Sequence, residues 1–255
     1  MTFKKLLAVI AVVPALLAPV AAQAAEANIK LDSPKIDVAD VVSLQAGART
    51  FVNYCLNCHS ASLVRYNTLE RIGLTEQQIK DNLMFTADKI GESMNVAFAP
   101  ADAKAMFGVV PPDLSVIARS RGADWLYTYL RGFYRDPSTA TGWNNVVFPN
   151  VGMPHVLWKL QGERVRKEEP AMRDGQPVTE HGHPVTRVSY ETATPGTLST
   201  MEYDRTVRDL VNFLVWIGEP HQSQRKQVGV WVVFSLLILI ALTYGLKSAY
   251  WKDIH

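Results

Sequence analysis

Thiol is what this sequence has least of: two cysteines in 255 residues, Cys55 and Cys58. With no second pair there is no disulfide framework to build on. A zinc site would have to recruit two further ligands, and the candidates His155, His181 and His183 stand at no recognisable close spacing. A thioredoxin-like redox pair follows a strand in a βαβ pattern, whereas these cysteines end a helical stretch. Excess charge is scarce too. The formal net charge is +2, and residues 26–224 hold 20 basic and 23 acidic side chains, a balance of −3. That argues against nucleic acid and suits a basic protein partner. Long apolar runs are confined to the two ends of the chain.

What the cysteines do form is Cys55-Leu56-Asn57-Cys58-His59, the Cys-x-x-Cys-His pattern of a c-type haem attachment site. Two thiols on one short turn reach the two vinyl groups of a haem and form thioethers. The next residue then offers its imidazole to the iron from the same edge.

The ends set the compartment. Residues 1–24 read as an export signal: Lys4 and Lys5, an apolar run from Leu6 to Leu17, and a small-residue cleavage site at Ala22-Gln23-Ala24. Near the other end, Val228 to Leu246 gives 19 residues without a charge, about 28 Å of helix and enough to span a bilayer. The expected organisation is a periplasmic haem domain over 25–224, a transmembrane anchor over 225–248 and a cytoplasmic tail over 249–255, in the inner membrane as a single-pass protein.

Between the ends the periodicity is mostly helical. Ser43 to Tyr54 predicts a helix running into the haem motif, capped by Ser43, with Leu44, Ala48, Phe51, Val52 and Cys55 on one face. Gly47, four residues before Phe51, leaves room for a second helix to cross closely. Ser60 to Leu83 predicts two short helices, the second starting at the Thr75/Gln78 capping box. Residues 84–107 read as loop, and Pro111-Pro112-Asp113-Leu114 as a rigid turn whose Asp113 or Ser115 caps the following helix. Ala123 to Tyr134 is an aromatic-rich helix, Asp136 to Met153 a loop, and Lys159 to Thr200 a charged β excursion turning at Asp174-Gly175. Glu202 to Gly218 is amphipathic, with Val207, Leu210, Val211, Leu214 and Ile217 on the face expected to cross the Gly47/Phe51 helix. His155, His181 and His183 read as exposed loop histidines.

The methionines are the favoured source of a second axial ligand, with His155, His181 and His183 as the alternative. Met84 follows His59 too closely to reach the opposite haem face with ease, Met172 sits in a charged loop and Met201 opens a helix. Met153, in Gly152-Met153-Pro154, lies on a rigid loop flanked by apolar residues well after His59, and is favoured. Met/His ligation closes both faces of the iron and raises its potential, leaving single-electron exchange as its chemistry. Arg119 or Arg121 would neutralise a propionate, since a buried carboxylate is costly without a partner.

The combination of signal segment, haem motif, Pro111-Pro112-Asp113-Leu114-Ser115, Gly152-Met153-Pro154, and an anchor preceded by Trp216-Ile217-Gly218-Glu219-Pro220 resembles the cytochrome c1 family over the whole mature chain. The resemblance implies a mainly α fold: a class I cytochrome c-like haem domain with loop and small β insertions, plus one C-terminal transmembrane helix. It implies one haem c held by thioethers to Cys55 and Cys58, with His59 and Met153 as axial ligands and Arg119 near a propionate. It implies an electron-transfer subunit, not an enzyme on its own, in a complex that oxidises ubiquinol and moves protons. Cytochrome b and a Rieske iron–sulfur protein are the implied partners, and a soluble or membrane-bound cytochrome c the acceptor.

Overall fold

The structure, a computed structural model, describes residues 29–252 except 97, 174–175, 178, 181–182 and 185, and leaves the side chains of 173–186 and 223 undescribed. The signal segment, the Asp174-Gly175 turn, His181 and the last three residues of the tail lie outside the described residues. Every element below belongs to the unit 31–255.

Helix α1 (Val41–Thr50) starts at Asp40, whose carboxylate accepts from the Ser43 N–H at 3.1 Å. Asp40 is thus the cap, not Ser43. The Ser43 hydroxyl points inward and donates to Asp209 at 2.7 Å. At Phe51–Cys55 the helix widens into a π-turn, closed by Leu56 N–H to Phe51 O at 3.0 Å. The motif then winds around one carbonyl, with the N–H groups of Cys58 and His59 both donating to Cys55 O.

After the motif comes strand β1 (Ala61–Arg65) and a 3₁₀ stretch Tyr66–Ile72, where the sequence predicts a first short helix. Helix α2 (Glu76–Asn82) opens on the expected Thr75/Gln78 capping box. The segment read as loop contains β2 (Ser93–Met94), paired antiparallel to β1, and α3 (Pro100–Phe107), which has Pro at its start and Gly108 at φ 75° past its end. That is the helix-bounding chemistry of Pro and Gly, with a weak apolar face.

Helices α4 (Ile117–Arg121) and α5 (Ala123–Arg131) lead into β3 (Phe133–Arg135) and β4 (Trp143–Asn145). The aromatic stretch is therefore helix only to Arg131, and the loop after it carries a short strand. After the one-turn α6 (Trp158–Gln161), β5 (Gly162–Pro170) departs as one arm of a ribbon. Within it lie the small pairs β6 (Met172–Arg173) with β7 (Gln176–Pro177) and β8 (Thr179–Glu180) with β9 (His183–Pro184), before β10 (Thr186–Pro195) returns. The sheet order is β10-β5-β3-β4. At the ribbon's root Gly162 has φ 90°, and a Cβ on it would meet Gly196 N at 2.6 Å, so only glycine fits there.

Helix α7 (Thr200–Gly218) begins with a second capping box, Ser199 with Glu202. Its face Tyr203, Val207, Leu210, Val211, Phe213, Leu214 and Ile217 is buried, each large side chain contributing roughly 1.5–3 kcal/mol. It crosses α1 at Gly47, where an added Cβ would run into the Asp209 carbonyl and lie 2.6 Å from Phe213 Cβ. The Phe51 and Phe213 rings sit 5.6 Å apart beside the crossing. Helix α8 (Gln222–Tyr250) is long and apolar enough over Gln224–Tyr250 to cross a membrane, and none of that stretch is buried by the rest of the chain.

Gly47→Ala should lower stability by about 3 kcal/mol, because backbone on the facing helix must move. For a domain of this size that is a fall of roughly 6–12 °C in Tm, read by thermal unfolding with Ala48→Gly as a control that leaves the crossing open.

Candidate haem-binding site

Five parts of the chain enclose one cavity of about 560 Å³: the motif, the Pro111–Leu114 segment, α4 with α5, the loop Phe148–Pro154, and Leu210 and Leu214 of α7. Cys55, Cys58, His59 and Met153 all line it. Its volume is within the range of small-molecule and cofactor sites.

The histidine side of the cavity is built by fastening residues 111–115 to residues 60–63. Pro111 and Pro112 cannot donate, so the segment runs rigid until Asp113. Asp113 then accepts from Ser62 N–H and Ser115 N–H, both at 2.8 Å, and Ser115 Oγ accepts from Leu63 N–H at 3.0 Å. Leu114 N–H closes the pairing on Ser60 O at 2.8 Å. Asp113 and Ser115 therefore fasten the strand after the motif instead of capping α4, whose N-cap position is Val116 with no side-chain bond. Burial pushes the Asp113 carboxyl up, but these donors outweigh it and hold the group below the usual carboxylate range.

The consequence is that Pro112 O stands 2.8 Å from His59 Nδ1. Burial lowers the His59 pKa, against smaller raising effects of Pro112 and Asp113, so the ring is neutral at pH 7. A neutral ring bonded to a carbonyl through Nδ1 carries its proton there and leaves the Nε2 lone pair for a metal. Burial also keeps both thiols protonated: Cys55 is pushed up to about 12, by desolvation first and Cys58 second, and Cys58 is raised by burial.

The methionine side is held by two buried asparagines. Asn145 Nδ2 donates to Tyr129 O at 2.8 Å, and its Oδ1 accepts from Val147 N–H at 2.9 Å and Phe148 N–H at 3.3 Å. Asn144 Oδ1 accepts from Asn150 N–H at 2.8 Å, while Asn144 Nδ2 donates to Asp136 at 2.8 Å. The loop is thus braced on Asn144 and Asn145 of β4, and through Asn145 on the end of α5, before it reaches Met153. Gly152 lies flat on Val109, where a Cβ would come within 3.0 Å of Cγ2. Tyr129 brings its hydroxyl 3.4 Å from Met153 Sδ.

Of the two arginines of α4, Arg121 lines the cavity, its guanidinium 5.0 Å from the Trp125 ring centre. Arg119 is not among the lining residues; its side chain lies by Gly218, and its charge helps hold the Glu219 carboxyl low, behind the larger effect of Arg225. Residues two apart on a helix do not share a face, so the helix can bring only one of them in. Trp125 was legible as part of an aromatic stripe, but not as a site residue. Its Nε1–H is buried without a partner on the cavity wall, an orphaned donor that an anionic group on a bound cofactor would satisfy. Thiols, neutral imidazole, thioether, cation and orphaned donor together fit a haem. No three His, Cys, Asp or Glu side chains among the described residues are placed to share a metal ion, Cys55, Cys58 and His59 included.

His155 departs from the exposed-loop expectation. It is buried, stacked on Phe133 at 4.8 Å and edge-on to Trp143 at 5.1 Å, and burial pushes its pKa down to about 4. It supports the β3–β4 side of the Met153 loop. Sequence spacing carries no sign of this, because Phe133 and Trp143 come from two separate strands.

A Cytochrome C1 family profile matches residues 34–254. The chain belongs to the cytochrome c1 family. Cytochrome c1 of Allochromatium vinosum is 44% identical over 241 residues, covering 94% of this chain and 96% of that one. A protein of Nitrosomonas europaea named ammonia monooxygenase gamma subunit is 48% identical over 240 residues, covering 94% and 95%. Cytochrome c1 of Rhodospirillum rubrum is 28% identical over 244 residues, covering 84% and 83%. As a cytochrome c1 family member, the chain is a haem-bearing electron-transfer subunit of the bc1 complex and not an enzyme by itself.

Asn145→Ala should cost about 2–4 kcal/mol, since it strips partners from buried backbone groups on two elements, and should loosen the Met153 loop more than the motif. Amide hydrogen exchange is the check: protection is expected to fall over 146–153 while Cys58 and His59 stay protected.

Proposed function

We propose that this chain carries one haem c, bound by thioethers to Cys55 and Cys58 with His59 and Met153 as axial ligands. In this reading it passes single electrons from a Rieske iron–sulfur protein to a soluble or membrane-bound cytochrome c. The observation that carries it is the single cavity on which Cys55, Cys58, His59 and Met153 all open. When bound, haem supplies a one-electron Fe(III)/Fe(II) couple. The chain's own contributions are the Nδ1–H bond to Pro112 that orients His59, an apolar wall that excludes water, and charge at the cavity rim. We place Arg121 and the Trp125 N–H against the propionates, with Arg119 acting at the α7 end beside Glu219. The domain limits follow the sequence reading: signal 1–24, haem domain 25–224 in the periplasm beside cytochrome b and the Rieske protein, anchor 225–248, tail 249–255.

The similarity to the Nitrosomonas protein supports a second reading, in which the same anchored haem serves a monooxygenase. Purification of the solubilised complex separates the two. Cytochrome b and a Rieske protein should accompany the chain under the first reading, and monooxygenase subunits in their place under the second.

Met153→Leu should leave the porphyrin covalently attached, lower the reduction potential severely and open the iron to carbon monoxide. A spectrum and potential like those of the parent protein would move the axial ligand elsewhere. Haem that washes out of the denatured parent protein would end the thioether assignment.

A further inference from the structure

We infer that Tyr129 is a positioning residue for the sulfur of Met153, its phenol donating a hydrogen bond that orients the thioether and raises the potential of the site. The inference rests on the haem reading above and adds a residue to it.

The geometry has three parts. The Tyr129 hydroxyl is 3.4 Å from Met153 Sδ, within hydrogen-bond reach for sulfur. The phenol has little freedom to turn elsewhere. Its ring is stacked on Trp125 at 4.7 Å with an 11° tilt, and meets Phe133 edge-on at 5.1 Å. The backbone beneath it is locked as well, because Tyr129 O accepts from Asn145, the residue whose Oδ1 also holds the start of the methionine loop. Donor and acceptor are thus referenced to one another through a single buried amide, and the loop cannot shift without breaking that tie.

The chemistry gives the sign. A thioether sulfur has two lone pairs, so one can meet a metal while the other accepts from the phenol. A donor on the second pair withdraws electron density from the sulfur and weakens its gift to the iron. The oxidised ion needs that gift more, so the bond favours the reduced state. Removing the hydroxyl should therefore lower the potential. A neutral hydrogen bond of ordinary net strength sets the size at about fivefold in the reduction equilibrium, or about 40 mV at 59 mV per tenfold for one electron.

The test is Tyr129→Phe in the full-length chain within its membrane complex, which keeps the ring stack. Redox titration should show the equilibrium shifted about fivefold toward the oxidised form, with the sulfur-to-iron charge-transfer band retained. An unchanged potential with that band retained overturns the inference while leaving the haem assignment intact. Absence of any such band in the parent protein removes methionine ligation, and the inference with it. Should the variant fail to assemble, nuclear magnetic resonance of the reduced parent protein decides. A slowly exchanging Tyr129 hydroxyl proton in contact with the Met153 methyl group supports the inference, and a hydroxyl in free exchange with water overturns it.

Discussion

Helices α1 and α7 meet so closely at Gly47 that the Asp209 carbonyl occupies the space of a side chain. Everything at the site is referenced to that crossing. It fixes the axis of α1, and so where the π-turn delivers Cys55, Cys58 and His59. It also brings Leu210 and Leu214 to the floor of the cavity. The buried bonds from Ser43 to Asp209 and from Asn212 to Ser43 keep the two helices in register, where apolar packing alone would allow sliding.

The two sides of the cavity are made by different means. His59 is aimed by a proline carbonyl on a strand-like segment that side-chain and main-chain bonds zip to residues 60–63. Met153 rides on a loop that has no regular structure of its own, and two asparagines supply the bonds a sheet or helix would have supplied. A loop so fastened can present a soft ligand at a set distance yet run over a surface edge, where Phe148 and Val109 remain exposed. One side is held by two chain segments zipped together, the other by buried amides.

The ribbon β5/β10 stands apart from this economy. Its root is tight, with Gly162 against Gly196 and Tyr190 against Tyr134 at 5.1 Å, while β5 from Arg166 to Pro170 is exposed. Among the described residues, none of the ribbon lines the cavity.

Much of this was readable in order along the chain. The Cys-x-x-Cys-His spacing, the Gly47/Phe51 step, the α7 stripe, the capping box at Thr75 and the uncharged run of the anchor are local patterns, and a helix or a motif is a local object. Met153 was singled out by its flanks for the same reason. Three-dimensional packing decided the rest. Ala61 and Arg65 pair with Met94 and Ser93, and Ser62 and Leu63 bond to Asp113 and Ser115 about fifty residues away, so an expected helix becomes β1. Tyr129 and Met153 meet across 24 positions, Arg121 rather than Arg119 turns to the cavity, and His155 is buried between strands that only the sheet brings together. Each of these depends on the angle at which helices cross and strands pair, and a sequence read in periods of two or 3.6 residues carries no angle between elements.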